Sequence, residues 1–186
     1  MLISLHKKKT EPTPEPGAFD LLLECHERIR RFTGMAEWLA HATPTAIAPT
    51  HGAPEAAVKE TAQAVLRYFT TALPNHSADE DRSLAPRLLA LPLGHELAAS
   101  VTMMTGQHAT LEETIALLVP AWRAVAADPA ALAEHRTAMA RHVERLRGLW
   151  DVHLHLEETI VFPAARARLS AEQQQEMLLE MRARRT

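Results

Sequence analysis

The sequence predicts an all-α protein, an up-down-up-down four-helix bundle with a short extra helix at its C-terminal end. Three observations predict it. Apolar residues recur at steps of three and four over four long segments, and no strand-type alternation runs for a useful length. The 186 residues include only 6 glycines and 4% aromatics, against abundant Ala, Leu, Glu and Arg, the strong helix formers. The segments are joined by modest connections marked by proline and glycine, which favour antiparallel neighbours.

The elements follow in order. Residues 1–17 read as a flexible tail, with Lys7-Lys8-Lys9 followed by Pro12, Pro14 and Pro16, and the folded domain as residues 18–186. A first helix of about 23 residues carries Phe19, Leu22, His26, Ile29, Thr33 and Ala36 on one stripe. Pro44, Pro49 and Gly52 mark a loop. The second helix presents Val58, Ala62, Val65, Phe69 and Leu73, is interrupted at Pro74, and resumes through His76, Glu80, Leu84 and Leu88. The third presents Val101, Met104, His108, Leu111, Ile115, Leu118 and Trp122, with a kink expected at Pro120. Asp128-Pro129 is a capped helix start, opening a long fourth stripe of Leu132, Met139, Val143, Leu146, Leu149, His153, Leu156 and Ile160 that bends or ends at Pro163. Ser170 and Gln173 form a capping box for the terminal helix, which reaches about Arg182.

Composition excludes several functions. The length suits one domain with a real core. A net charge of −3 gives no basic field, so nucleic acid is not an expected partner. No run of 18 apolar residues is present to span a membrane, and the start carries its lysines after a very short apolar run, the reverse of a secretory signal. The single cysteine, Cys25, permits no internal disulfide and fits a cytoplasmic location. No nucleophile triad, phosphate loop or dinucleotide fingerprint is found.

The chemistry lies in the histidines, of which there are 11. Four precede a glutamate by four residues, more than composition predicts: His51 and Glu55, His76 and Glu80, His108 and Glu112, His153 and Glu157. The first pair spans Gly52 and Pro54 and is set aside; the other three sit on helices, where i and i+4 share a face. With His26, every one of the four helices aims an imidazole along its apolar stripe. Buried His and Glu without compensation cost several kcal/mol per unpaired ion, a cost that bound cations remove. Four histidines and two or three glutamates exceed one tetrahedral ion, so two metals fit; the N/O donor set suits iron first, with manganese or zinc as alternatives. Ferritin-like di-iron bundles use Glu-x-x-His, and no glutamate here has histidine at that spacing. Asp81 and Glu158, each next to a proposed ligand, are expected to support the ligands or face solvent. His155 should face away from His153's side, His95 reads as an exposed histidine, and Cys25 as a buried inert thiol. Trp38, Trp122 and Trp150 read as packing residues, and the basic end Arg182-Ala183-Arg184-Arg185 as a helix terminus needing no partner.

Four segments carry a family resemblance: Glu24-Cys25-His26-Glu27-Arg28-Ile29-Arg30, Asn75-His76-Ser77-Ala78-Asp79-Glu80-Asp81 with Leu84 and Pro86, Gln107-His108, and His153-Leu154-His155-Leu156-Glu157-Glu158-Thr159-Ile160-Val161-Phe162-Pro163. Over residues 18–168 the chain resembles the hemerythrin-like (HHE cation-binding) family. The resemblance implies a non-haem di-iron site with His26, His76, His108 and His153 as terminal ligands and Glu80 and Glu157 as bridging carboxylates. It puts Glu112 where oxygen-carrying hemerythrins supply a further histidine. It therefore implies a protein that binds or responds to oxygen, nitric oxide or peroxide rather than a simple oxygen carrier, with sensing, iron handling or iron-centre repair fitting as well as di-iron oxidoreductase turnover does. The alternative reading is a non-catalytic interaction module, such as a homodimer, whose metal is structural; exposed apolar residues on the terminal segment Met177-Leu178-Leu179-Met181 would support it.

Overall fold

Ala18 to His41 form helix α1, with the Asp20 carboxylate accepting the Gly17 N–H at 2.9 Å and placing an acid in the first turn, where the helix dipole favours it. The computed structural model describes residues 16–42 and 54–186; the expected N-terminal tail up to residue 15, the loop and His51 lie outside them. Helix α2 is one run from Pro54 to Leu89, in which the α-helical stretches Pro54–Arg67, Leu73–Asp79 and Ala85–Leu89 alternate with π-turns Tyr68–Ala72 and Glu80–Leu84. Helix α3 spans His95–Ala127 and passes through Pro120 as a single element. Helix α4 opens with a 3-10 turn, Pro129–Ala131, for which the Asp128 carboxylate caps the Ala130 N–H at 3.0 Å. It continues as Leu132–Leu156, a π-turn Glu157–Val161, and Phe162–Arg168. Helix α5 is Ala171–Ala183, begun by the expected capping box of Ser170 and Gln173.

Pro74, expected to give one kinked element or two abutting ones, and Pro163, expected to bend or end its helix, leave α2 and α4 continuous. A proline lacks an N–H, and its ring collides with the carbonyl four residues back. Here the residue before each proline bonds five residues back: Leu73 N–H to the Tyr68 carbonyl, Ala85 to Glu80, and Phe162 to Glu157. A turn widened by one residue makes room for Pro74, Pro86 and Pro163, and the helix carries on.

Helices α1 to α4 close into a ring in which each packs on its neighbours in sequence and α1 meets α4; α5 lies outside it against α1 and α2. Two apolar clusters fill the interior. One is built on Ile29, Val65, Phe69, Leu118, Trp122 and Leu146, the other on Leu22, Leu88, Met104 and Phe162 with Met177 and Met181 of α5. Each fully buried aliphatic side chain contributes about 1.5–3 kcal/mol relative to leaving it in water. Between the clusters lies one polar layer, since His26 follows Leu22, Glu80 precedes Leu84 and His108 follows Met104 on their helices. Trp122 and Trp150 pack as expected, whereas Trp38 is 41% exposed. Among the described residues, no helix is long and apolar enough to cross a membrane.

Candidate metal centre

Six side chains from all four ring helices meet in the polar layer: His26 of α1, His76 and Glu80 of α2, His108 of α3, and His153 and Glu157 of α4. All six are buried. Their atoms fall into two groups that share the two carboxylates, one with His26 and His76 and the other with His108 and His153. The glutamates face the two groups with different oxygens. Glu80 turns Oε1 toward His76 Nε2 at 3.2 Å and Oε2 toward His108 Nε2 at 3.2 Å. Glu157 turns Oε2 toward His26 Nε2 at 3.1 Å and Oε1 toward His153 Nε2 at 3.1 Å. This is the arrangement in which two carboxylates span a pair of cations.

The fit to metal rests on unsatisfied atoms. The Nε2 of all four histidines and all four carboxylate oxygens are buried, and none makes a hydrogen bond. Buried polar groups in native proteins are nearly always satisfied, so eight converging atoms without hydrogen bonds suit a bound cation. Imidazole nitrogen with carboxylate oxygen is a borderline set that divalent transition metals accept.

Electrostatics without cations tells the same story. Burial drives His76 down to about 4 and His153 down to about 3. Burial also opposes charge on His26 and His108, yet both are held up at about 10, His26 by Glu157 and Glu80 and His108 by Asp81 and Glu80. Burial and the charge of Glu80 push Glu157 up to about 8. Burial raises Glu80 too, but His76, His108 and His26 outweigh it and hold the carboxyl well below its ordinary range. Protons on His26, His108 and Glu157 thus sit where the positive charge of bound cations would.

The outward Nδ1 atoms fix the rings. His26 Nδ1 lies 2.7 Å from Glu158 Oε1, His108 Nδ1 2.9 Å from Asp81 Oδ1, and His153 Nδ1 2.9 Å from Gln107 Oε1. Asp81 and Glu158 therefore hold rings of the cluster. The two acids cross over: each follows a glutamate of the cluster and holds the lone histidine of another helix. Phe162 stacks on His26 at 5.2 Å, and Trp150 meets His153 edge-on at 5.5 Å.

Three expectations are corrected. Glu112 is exposed and lies outside the cluster. Leu111 and Ile115 take the inward positions of α3 after His108, and Glu112 falls on the flank, one residue further round. Ile160 is 44% exposed while Val161 is buried, because the π-turn inserts one residue and moves the inward position along by one. The basic C-terminus does have a partner: Arg184 and Arg185 bind the buried Asp79 at 2.7 and 2.5 Å. Asp79, three residues after His76 on a core-facing stretch, was the readable signal, since a buried acid needs a cation. His155 and His95 are exposed and Cys25 is buried, as expected; burial pushes its thiol up, and Arg185 Nη2 stands 3.7 Å away.

A further signal went unread: a short repeat, His-x-x-x-Glu-acid-x-x-x-x-Pro, at residues 76–86 and 153–163. In both copies the glutamate opens the π-turn. An uncharacterized protein of Haemophilus influenzae is 29% identical over 168 residues, covering 89% of this chain and 88% of its own length. Residues 17–165 match the hemerythrin HHE cation-binding domain, the stretch that carries all six clustered side chains, and the chain belongs to that family.

Proposed function

We propose that the chain is a di-iron protein that binds or responds to oxygen, nitric oxide or peroxide. The observation that carries this is the set of eight orphaned, buried donor atoms, divided by two carboxylates into two equivalent halves. His26 and His76 would hold one iron and His108 and His153 the other, with Glu80 and Glu157 available to both. When bound, such a pair supplies open coordination positions and electrons for a small ligand. The chain's own contribution is orientation and exclusion: Glu158, Asp81 and Gln107 hold three of the rings, and Phe162 and Trp150 wall the layer from water. With no third carboxylate in the cluster, sensing or iron handling rests on the small-ligand chemistry alone.

The terminal helix does not supply the exposed apolar surface that would support the interaction-module reading. Met177, Leu178 and Met181 are buried in the core, leaving only Leu179 of that segment exposed. Metal analysis of the purified chain, with optical spectra under air and under nitric oxide, tests the proposal. About two irons per chain and a ligand-responsive spectrum are expected, since both halves are complete. Folded protein that takes up no metal from an iron-containing medium refutes it.

A further inference from the structure

The two halves of the donor set are equivalent in ligands but not in what stands behind them. Behind His108 is Asp81, whose carboxylate pairs with His108 alone among the described residues; behind His153 is the Gln107 side-chain carbonyl oxygen. Behind His26 is Glu158, but the same oxygen also accepts from Arg30 Nη2 at 2.7 Å, so its charge is shared with a guanidinium. Behind His76 there is nothing: its Nδ1 is buried without a hydrogen bond. Three residues on, Asp79 brings in Arg184 and Arg185, so two further cations stand on this side.

An imidazole that binds metal through Nε2 carries its proton on Nδ1. A carboxylate accepting that proton orients the ring and makes it a stronger donor, and losing such a partner typically lowers metal affinity about 10–100-fold. A buried N–H with no acceptor works against binding. Nearby cations also repel a divalent ion.

We infer that the two metal positions are unequal: the His108/His153 position binds first and more tightly, and the His26/His76 position fills second and empties first. This rests on the di-metal reading. Asp81 and Glu158 are the positioning residues, each acting on one step through the ring it holds.

Titrating metal-free full-length protein with Co(II), followed by calorimetry and by the visible absorption of the bound ion, tests it. Two steps are expected, separated by about tenfold or more. Asp81→Asn should weaken the first step about 10–100-fold, and Glu158→Gln the second step only. His76→Ala should keep one ion at the affinity of the native first step, and His108→Ala should lose that step. Circular dichroism of each metal-free variant establishes that it folds; where Asp81→Asn fails to fold, the His76→Ala and His108→Ala pair decides. Two equal steps, or an Asp81→Asn effect confined to the second, overturn the inference while leaving the di-metal reading intact. A native chain that binds fewer than two ions overturns that reading itself.

Discussion

Asp79→Ala should be among the most destabilising single changes outside the metal layer. The side chain is 0% exposed and holds Arg184 at 2.7 Å and Arg185 at 2.5 Å, whose side chains are 20% and 24% exposed. Burial raises the Asp79 carboxyl above its ordinary value even against those two guanidinium groups, so the assembled trio is not a large net gain over an apolar core. Breaking it is another matter. Removing one partner of a buried pair typically costs about 3–5 kcal/mol, because the remaining charge is left without compensation. The arginines still touch water, so the low end, about 3 kcal/mol, is the expected loss. At about 2–4 °C per kcal/mol for a chain of this size, the melting temperature should fall by roughly 6–12 °C. Thermal and urea unfolding of metal-free protein measure it, and a double-mutant cycle with Arg185→Ala isolates the coupling. A loss under 1 kcal/mol, or strictly additive single and double variants, would refute the reasoning.

Three other outcomes are expected. Glu80→Ala combined with Glu157→Ala should abolish binding of the metal pair by elemental analysis, and retention of two ions would overturn the bridging assignment. Glu112→Gln and His155→Ala, both at exposed positions, should leave metal content unchanged; loss of an ion from either would mean that the helix faces are misassigned. Metal-free protein should be most stable near pH 6 with respect to the site groups, where about three of the four unfolded histidines would be protonated against three protons held in the fold. Above that, the folded state keeps protons on His26 and His108, held up at about 10, and on Glu157, at about 8, that the unfolded chain has released, so stability falls as pH rises. Below it, the unfolded chain also protonates His76 and His153, which the fold keeps neutral down to about 4 and 3, so stability falls with pH there too. Each unbalanced proton shifts stability by about 1.4 kcal/mol per pH unit. Denaturant midpoints across pH 5–9 check this, and a monotonic rise to alkaline pH would contradict it.

Helical periodicity alone reveals much of this molecule. The stripes of α1 and α3 are buried almost residue for residue, and His26, His76, His108 and His153 point inward because each occupies a stripe position that apolar neighbours identify. What periodicity misreads is local helix geometry. His-x-x-x-Glu brings its glutamate inward in α2 and α4, where the glutamate opens a π-turn, but not in α3, where the α-helix runs unbroken and Leu111 holds the inward place. Spacing of four is the same in all three. The clamp of Asp79 by Arg184 and Arg185 joins residues more than a hundred positions apart, and no local pattern announces which cation a buried acid will meet.

The π-turn ahead of Pro163 also makes the chain's length, rather than its chemistry, the sensitive variable at one surface position. Thr159 is exposed, and most side chains should serve there. Deleting it is different. With one residue fewer, Glu157–Val161 would close to an ordinary α-turn, and the widening that absorbs the extra residue would be gone while the helix faces after it stay where they are. What would be lost is the room at Pro163, whose ring would meet the carbonyl four residues back that the wide turn now lets it avoid. A position that tolerates substitution therefore should not tolerate omission.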